Sequence, residues 1–305
     1  MNEPTLNETA RSGGFGSGLR ALLELFKIRM TAHILITTVV GFYLASPPEF
    51  NWLGLWWTLV GTGLLAMAAF SFNQAIEKRH DAVMERTQRR PLPSERLGLT
   101  TAWIAGAFIA VLGTVLLWVY VNPLTAVLGA LTVVLYAAVY TPLKRLTTFN
   151  TLVGSIPGAL PPLMGWTAAQ NHLGTGGLLL FTLLFFWQLP HFLALAWMYK
   201  DDYRRGGYRM LSLVDESGAT CFRQILFQSV LLVLVSILPF LYGIAGSIYL
   251  LVALASGLFL VFLALRLQRT GLRTHAVHVF LWSIAYLPVV LVAMALDKQM
   301  FFFLG

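Results

Sequence analysis

The chain has 305 residues, of which 57% are hydrophobic and only 11% charged, with a mean hydropathy of +0.73. That composition excludes an ordinary soluble domain and fits a protein that crosses the membrane many times. A net charge of +8 would suggest a polyanionic partner in a soluble protein, but a membrane protein acquires a basic excess from its cytoplasmic loops, so no nucleic acid is expected.

Residues 1–26 read as a flexible cytoplasmic tail, with Ser12, Gly13, Gly14, Gly16 and Ser17 in a short interval, followed by a single membrane domain over 27–305. A window of about 20 apolar residues, the length a helix needs to cross the hydrocarbon core, finds about nine spans. They cover 30–46, 54–78, 100–120, 123–142, 150–169, 177–199, 222–243, 247–266 and 278–297. The fifth carries Pro157, Pro161 and Pro162, which are expected to kink or break it. These continuous apolar runs are unlike the alternating ten-residue segments of a β-barrel. The fold class expected is therefore an all-α integral membrane protein with about nine helices. Twenty of the 21 Lys and Arg residues fall on one side of this arrangement, and Lys298 is the exception. The sorting places the N-terminus in the cytoplasm. One cysteine, Cys221, rules out an internal disulfide.

The second span ends in FNQAIEKRHDAVMERTQRRPLPS, residues 72–94, a dense run of charge in an apolar chain. Asn73, Glu77 and Asp81 recur every four residues, so on a helix they drift only about 40° per step and share a face. Two carboxylates and an amide are hard oxygen donors suited to Mg²⁺, which commonly also binds substrate phosphate. The same spacing fits an interfacial helix end with i,i+4 ion pairs. A second acidic group, Asp201 and Asp202, follows the sixth span among Lys200, Arg204, Arg205 and Arg209. Carboxylates repel a diphosphate, so a metal would have to bridge them, while cations bind the remaining phosphate oxygens.

His191 lies deep in an apolar segment, where a polar group usually meets a cavity or a partner. It reads either as a histidine bonded to a neighbouring helix or as a contact for a bound acceptor. His33 has the same two readings, and His172, His275 and His278 read as interfacial. Asn150, Gly154, Gly158 and Gly165 would let the fifth span pack closely.

The run NQAIEKRHD at 73–81 resembles the NDxxDxxxD-type motif of the UbiA superfamily of intramembrane prenyltransferases, with Gln74 and Glu77 in place of two aspartates. Its continuation MERTQRRPL at 84–92, with YTPLKR at 140–145, NTLVGSIPGALPPLMGW at 150–166, WQLPHFLALAW at 187–197 and DYRRGGYRMLS at 202–212, resembles the haem-farnesylating branch of that superfamily. The likeness runs from about Lys27 to the last span. It implies a UbiA-like bundle around a central cavity in the bacterial cytoplasmic membrane, with the active site facing the cytoplasm. It further implies Mg²⁺-dependent transfer of farnesyl from farnesyl diphosphate to a vinyl group of protohaem IX, giving haem O. The metal residues implied are Asn73, Glu77, Asp81 and Asp202, and the diphosphate residues Arg86, Arg90, Lys144, Arg145 and Lys200. His191 joins the catalytic set as a haem contact. Membrane lipid, haem A synthase and the assembly of a terminal oxidase are the further partners implied. The second acidic motif departs from the DxxxD pattern, because Gly206 stands four residues after Asp202. Two rivals share some of these features: a related prenyltransferase acting on an aromatic acid for quinone synthesis, and a transporter, which would place its ionisable residues nearer the bilayer midplane.

Overall fold

The structure is a computed structural model that describes residues 15–298. Its long helices follow the apolar runs of the sequence. In chain order they are α2 (Ile28–Ala45), α3 (Trp52–Asp81), α4 (Leu99–Tyr120), α5 (Pro123–Val134), α7 (Asn150–Gln170), α8 (Thr175–Met198), α10 (Ala219–Leu241), α11 (Ser247–Thr270) and α12 (Arg273–Leu296). Short helical pieces precede or join them as α1 (Phe15–Leu25), α6 (Thr141–Leu143) and α9 (Lys200–Arg205). No strand forms among the described residues, as expected where every backbone group must be bonded within its own segment.

Eight of these segments among the described residues are long and apolar enough to cross a membrane, with α5 and α6 counted as one through Leu143. The ninth long helix, α7, is less apolar and mostly buried. It runs through Pro157, Pro161 and Pro162 as one continuous helix, so of the kink or break expected there the break does not occur. The reason lies in its neighbours. A Cβ on Gly41 of α2 would collide with the Pro162 carbonyl, and a Cβ on Gly165 would collide with the Thr38 carbonyl. Bare backbone on both helices lets α2 lie directly against α7, and this contact supports a helix whose own ladder lacks three donors.

A second correction concerns the tail. Residues 15–25 are helical, and residues 1–14, like 299–305, lie outside the described part. Leu22, Leu25 and Phe26 recur at helical spacing and pack with Ala75, Leu92 and Ala102, so α1 has a hydrophobic face to bury. Gln74 Nε2 donates to the carbonyl of Leu25 at 2.6 Å and ties α1 to α3.

The lipid-facing side is also readable. On α4, Ile104, Phe108, Val111 and Val115 point outward, while Ala102, Gly106, Gly113 and Leu117 turn inward against α3. At the opposite end of the molecule Lys298 donates to the carbonyls of Tyr43 and Ser46, at 2.8 and 2.7 Å. Lys298 therefore caps α2.

Candidate active site

The face of α3 that carries Asn73, Glu77 and Asp81 is buried throughout, and the three residues are 1%, 5% and 0% exposed. Toward the membrane interior the same stripe continues as Phe70, Ala69, Ala66 and Thr62. These residues line one wall of an apolar cavity whose other walls are Ile34 of α2, Thr132 and Tyr136 before and within the α5 extension, and Pro157, Pro161 and Met164 of α7. One helix face thus passes from an apolar chamber to a polar, acidic mouth. The aromatic residues around 181–197 are not among the residues that line this cavity.

Cations converge on the mouth. Lys144 Nζ lies 2.9 Å from Glu77 Oε1, and Arg90 Nη1 lies 2.7 Å from Asp81 Oδ2. Burial alone would lower the Lys144 pKa, but the Glu77 carboxylate and the hydroxyls of Tyr140, Tyr136 and Tyr208 hold it well above its usual value. Between α5 and α6 the chain forms a π-helical turn, Leu135–Tyr140. Pro142 supplies no N–H at the start of α6, and the Thr141 N–H bonds to Tyr136 O, five residues back. The widened turn brings Thr141 and Lys144 to α3, where Thr141 Oγ accepts from Asn73 Nδ2 at 3.1 Å.

A third cation, Lys27, carries no signal in the sequence beyond its place before the first span. It sits between α1 and α2 in the left-handed conformation, φ 45°, which is unfavourable for a side chain with a Cβ. That break turns its ammonium toward Asn73 Oδ1, at 3.5 Å, and over the Phe70 ring, at 4.9 Å. Burial, together with the charges of Arg90 and Lys144, pushes the Lys27 pKa well below its ordinary value. Three basic groups face two carboxylates here, and an anion bound among them would favour their charged forms.

The other expected residues have different partners. Asp202 Oδ1 accepts from the Glu85 backbone N–H at 3.0 Å and from Arg205, so it clips the 82–98 connection to α9. Burial raises its pKa, and the bonds from Arg205 and from the Glu85 and Arg86 backbone outweigh that and lower it. No group of three or more His, Cys, Asp or Glu able to hold a metal is found among the described residues, so the four-residue set expected to include Asp202 is not assembled as one cluster. Arg86 is exposed and lies over the rings of Tyr199 and Tyr203, at 5.2 and 5.7 Å. Arg145 contacts His80 Nε2 at 3.1 Å, and Lys200 lies over Trp197 at 4.3 Å. His33 Nδ1 bonds the carbonyl of Arg29 on an exposed face. His191 lies between α8 and α12, away from the α3 cluster, with Nδ1 2.8 Å from Ser283 Oγ.

A divalent metal fits the α3 mouth on one independent observation. Asp81 Oδ1 is buried with no hydrogen-bond partner, an acceptor that a folded protein seldom leaves unused. Two carboxylates and an amide also match the sparse protein ligation of Mg²⁺.

Residues 34–299 match the UbiA prenyltransferase family. The chain is 41% identical over 291 residues to a protoheme IX farnesyltransferase of Solibacter usitatus, covering 92% of this chain and 99% of the relative. It is 43% identical to one of Salinibacter ruber over 90% of this chain and 97% of the relative. The human mitochondrial protoheme IX farnesyltransferase is 38% identical, with 91% of this chain and 62% of that protein aligned. Among solved structures, a digeranylgeranylglyceryl phosphate synthase superposes with a TM-score of 0.75 at 20% identity, covering 92% of this chain and 98% of the other. A UbiA homologue from Archaeoglobus fulgidus bound to GPP and Mg²⁺ superposes with a TM-score of 0.67 at 12% identity, covering 90% and 99%.

Proposed function

Since the chain belongs to the UbiA prenyltransferase family, we propose that it is a multi-pass membrane enzyme that transfers farnesyl from farnesyl diphosphate to a vinyl group of protohaem IX, with water completing the hydroxyethylfarnesyl side chain of haem O. The observation that carries this reading is the single face of α3 that is apolar from Thr62 to Phe70 and acidic from Asn73 to Asp81. Such a face suits an amphiphile with an isoprenoid tail and a charged head. The names of the relatives support the acceptor and donor.

Asn73, Glu77 and Asp81 would hold Mg²⁺, which when bound neutralises charge on the diphosphate. Arg90, Lys144 and Lys27 would bind the phosphate oxygens, and Lys27, whose charged form is disfavoured by burial and then by its cationic neighbours, gains an anionic partner when the donor arrives. The carbon–oxygen bond of the donor breaks with its electron pair leaving on the diphosphate, where the cations stabilise the developing charge. The vinyl carbon then supplies the electrons of the new carbon–carbon bond. Water adds to the resulting cationic carbon and loses a proton. The apolar lining of the chamber would keep water away until that bond has formed. Asp202 positions the 82–98 connection over the mouth, and Arg86, Arg145 and Lys200 provide further positive charge at its rim. We place this face in the cytoplasm of a bacterial cell, on the sidedness of the basic residues, and expect the product to pass to haem A synthase or to terminal oxidase assembly.

Asp81→Asn tests the metal assignment. It should abolish diphosphate release while the purified protein still unfolds cooperatively. Wild-type turnover in that variant would remove Asp81 from the metal site.

A further inference from the structure

The apolar cavity beside α3 narrows at one end and stops at the other. Next to the polar mouth, where Thr141 bonds Asn73, the rings of Phe70 and Tyr136 meet edge to face with their centroids 5.8 Å apart. Further in, the wall on α3 is made of Ala69 and Ala66, and the wall on α7 of Pro157, Gly158 and Pro161, so the side chains there are short.

The inner end is formed by Leu65 of α3 and Met164 of α7, which are 2% and 1% exposed. Both press on the same point of α5. A Cβ added to Gly129 would collide with Leu65 Cδ1 and Met164 Cε, so the α5 backbone lies directly behind these two side chains. Leu117 and Ala126, both fully buried, belong to the same apolar cluster. A core packed in this way has no room for further atoms unless a side chain is shortened.

The distance between the mouth and this end matches one chain length. Thr62, the deepest lining residue of α3, stands eleven positions before Asn73, about 16 Å along the helix. Leu65 reaches toward the level of Thr62, because helical side chains lean toward the N-terminus. The main chain of a farnesyl group is three four-carbon repeats, and four bonds of extended chain advance about 5 Å, which gives about 15 Å. A geranyl chain, at about 10 Å, would end near Ala66, seven residues from Asn73. A geranylgeranyl chain, at about 20 Å, would run into Leu65 and Met164.

We propose that Leu65 and Met164 set the longest prenyl chain that the enzyme accepts, and that the small side chain of Ala66 leaves space for the third isoprene unit. The proposal rests on the donor being a prenyl diphosphate whose head group lies at Asn73. A misfit of one methylene in an apolar pocket already changes kcat/KM by about tenfold or more. A fourth isoprene unit adds five carbons.

The test is competition among geranyl, farnesyl and geranylgeranyl diphosphates for the purified protein in lipid with protohaem and Mg²⁺, read as the ratio of the three prenylated haems by mass analysis. That ratio does not depend on the fraction of protein that is folded. The wild type should favour farnesyl over geranylgeranyl by about tenfold or more. Met164→Ala and Leu65→Ala should each raise the share of geranylgeranyl by about tenfold, whereas Ala66→Leu should shift the product to geranyl. A general loss of packing would not move the two kinds of variant in opposite directions. Met164→Val and Ala66→Val make smaller changes at the same depths and keep the test readable if a larger change prevents folding. Unchanged ratios in the variants, or equal use of the three donors by the wild type, would overturn the proposal and leave the enzyme reading intact. Diphosphate release from none of the donors by the folded wild type would overturn the reading on which the proposal rests.

Discussion

Lys144 and Glu77 form an ion pair whose side chains are only 13% and 6% exposed, at the mouth of a membrane cavity. Removing one partner of such a pair leaves a buried charge uncompensated, at a cost of about 3–5 kcal/mol, whereas replacing both by apolar or neutral groups costs far less. Lys144→Met should therefore lower the unfolding temperature markedly, and Lys144→Met with Glu77→Gln should recover most of the loss. If the pair is also catalytic, the double variant will be stable and inactive. Thermal unfolding in lipid beside diphosphate release measures both effects, and an active double variant would show that the pair is only structural. Asn73, Glu77 and Asp81 were legible in the sequence because four-residue spacing maps directly onto one helix face. Lys27 was not legible, because its position depends on a left-handed break that no local pattern announces. Gln74 stands inside the acidic motif, yet its side chain faces α1 and fixes the junction from which Lys27 emerges.

The proline-rich helix α7 depends on close backbone contact with α2. A methyl group on Gly41 or Gly165 would press into a carbonyl of the other helix, which cannot move aside as a flexible side chain can. Gly41→Ala and Gly165→Ala should each destabilise by about 1–3 kcal/mol. Gly63→Ala serves as the control, since its added carbon would meet Leu35 at an ordinary 3.6 Å. Equal unfolding temperatures for all three would remove the α2–α7 contact as the support for the proline-rich helix. The π-helical turn before Pro142 is the other element that a 3.6-residue count does not find. It displaces Lys144 from the face that ordinary helical periodicity would give, and so joins it to Glu77. The 82–98 and 200–213 connections have no period at all. Arg86, in the first of these, Arg145, just past α6, and Lys200, at the start of α9, engage Tyr199, Tyr203, His80 and Trp197 instead of the carboxylates.

Over the whole molecule, the helical bundle is legible from hydropathy, because the bilayer imposes a length on each span. What sequence could not supply was the continuity from a polar mouth to an apolar chamber along α3, which joins residues from α2, α3, α5 and α7. That continuity is the basis for reading the protein as an enzyme acting on an amphiphilic diphosphate. The most direct measurement is mass analysis of haems extracted after incubating the purified protein in lipid with protohaem, farnesyl diphosphate and Mg²⁺. Farnesyl transfer should give a more hydrophobic haem heavier by farnesyl and hydroxyl, absent when the metal is chelated. Unmodified protohaem from a folded, haem-loaded protein would contradict it.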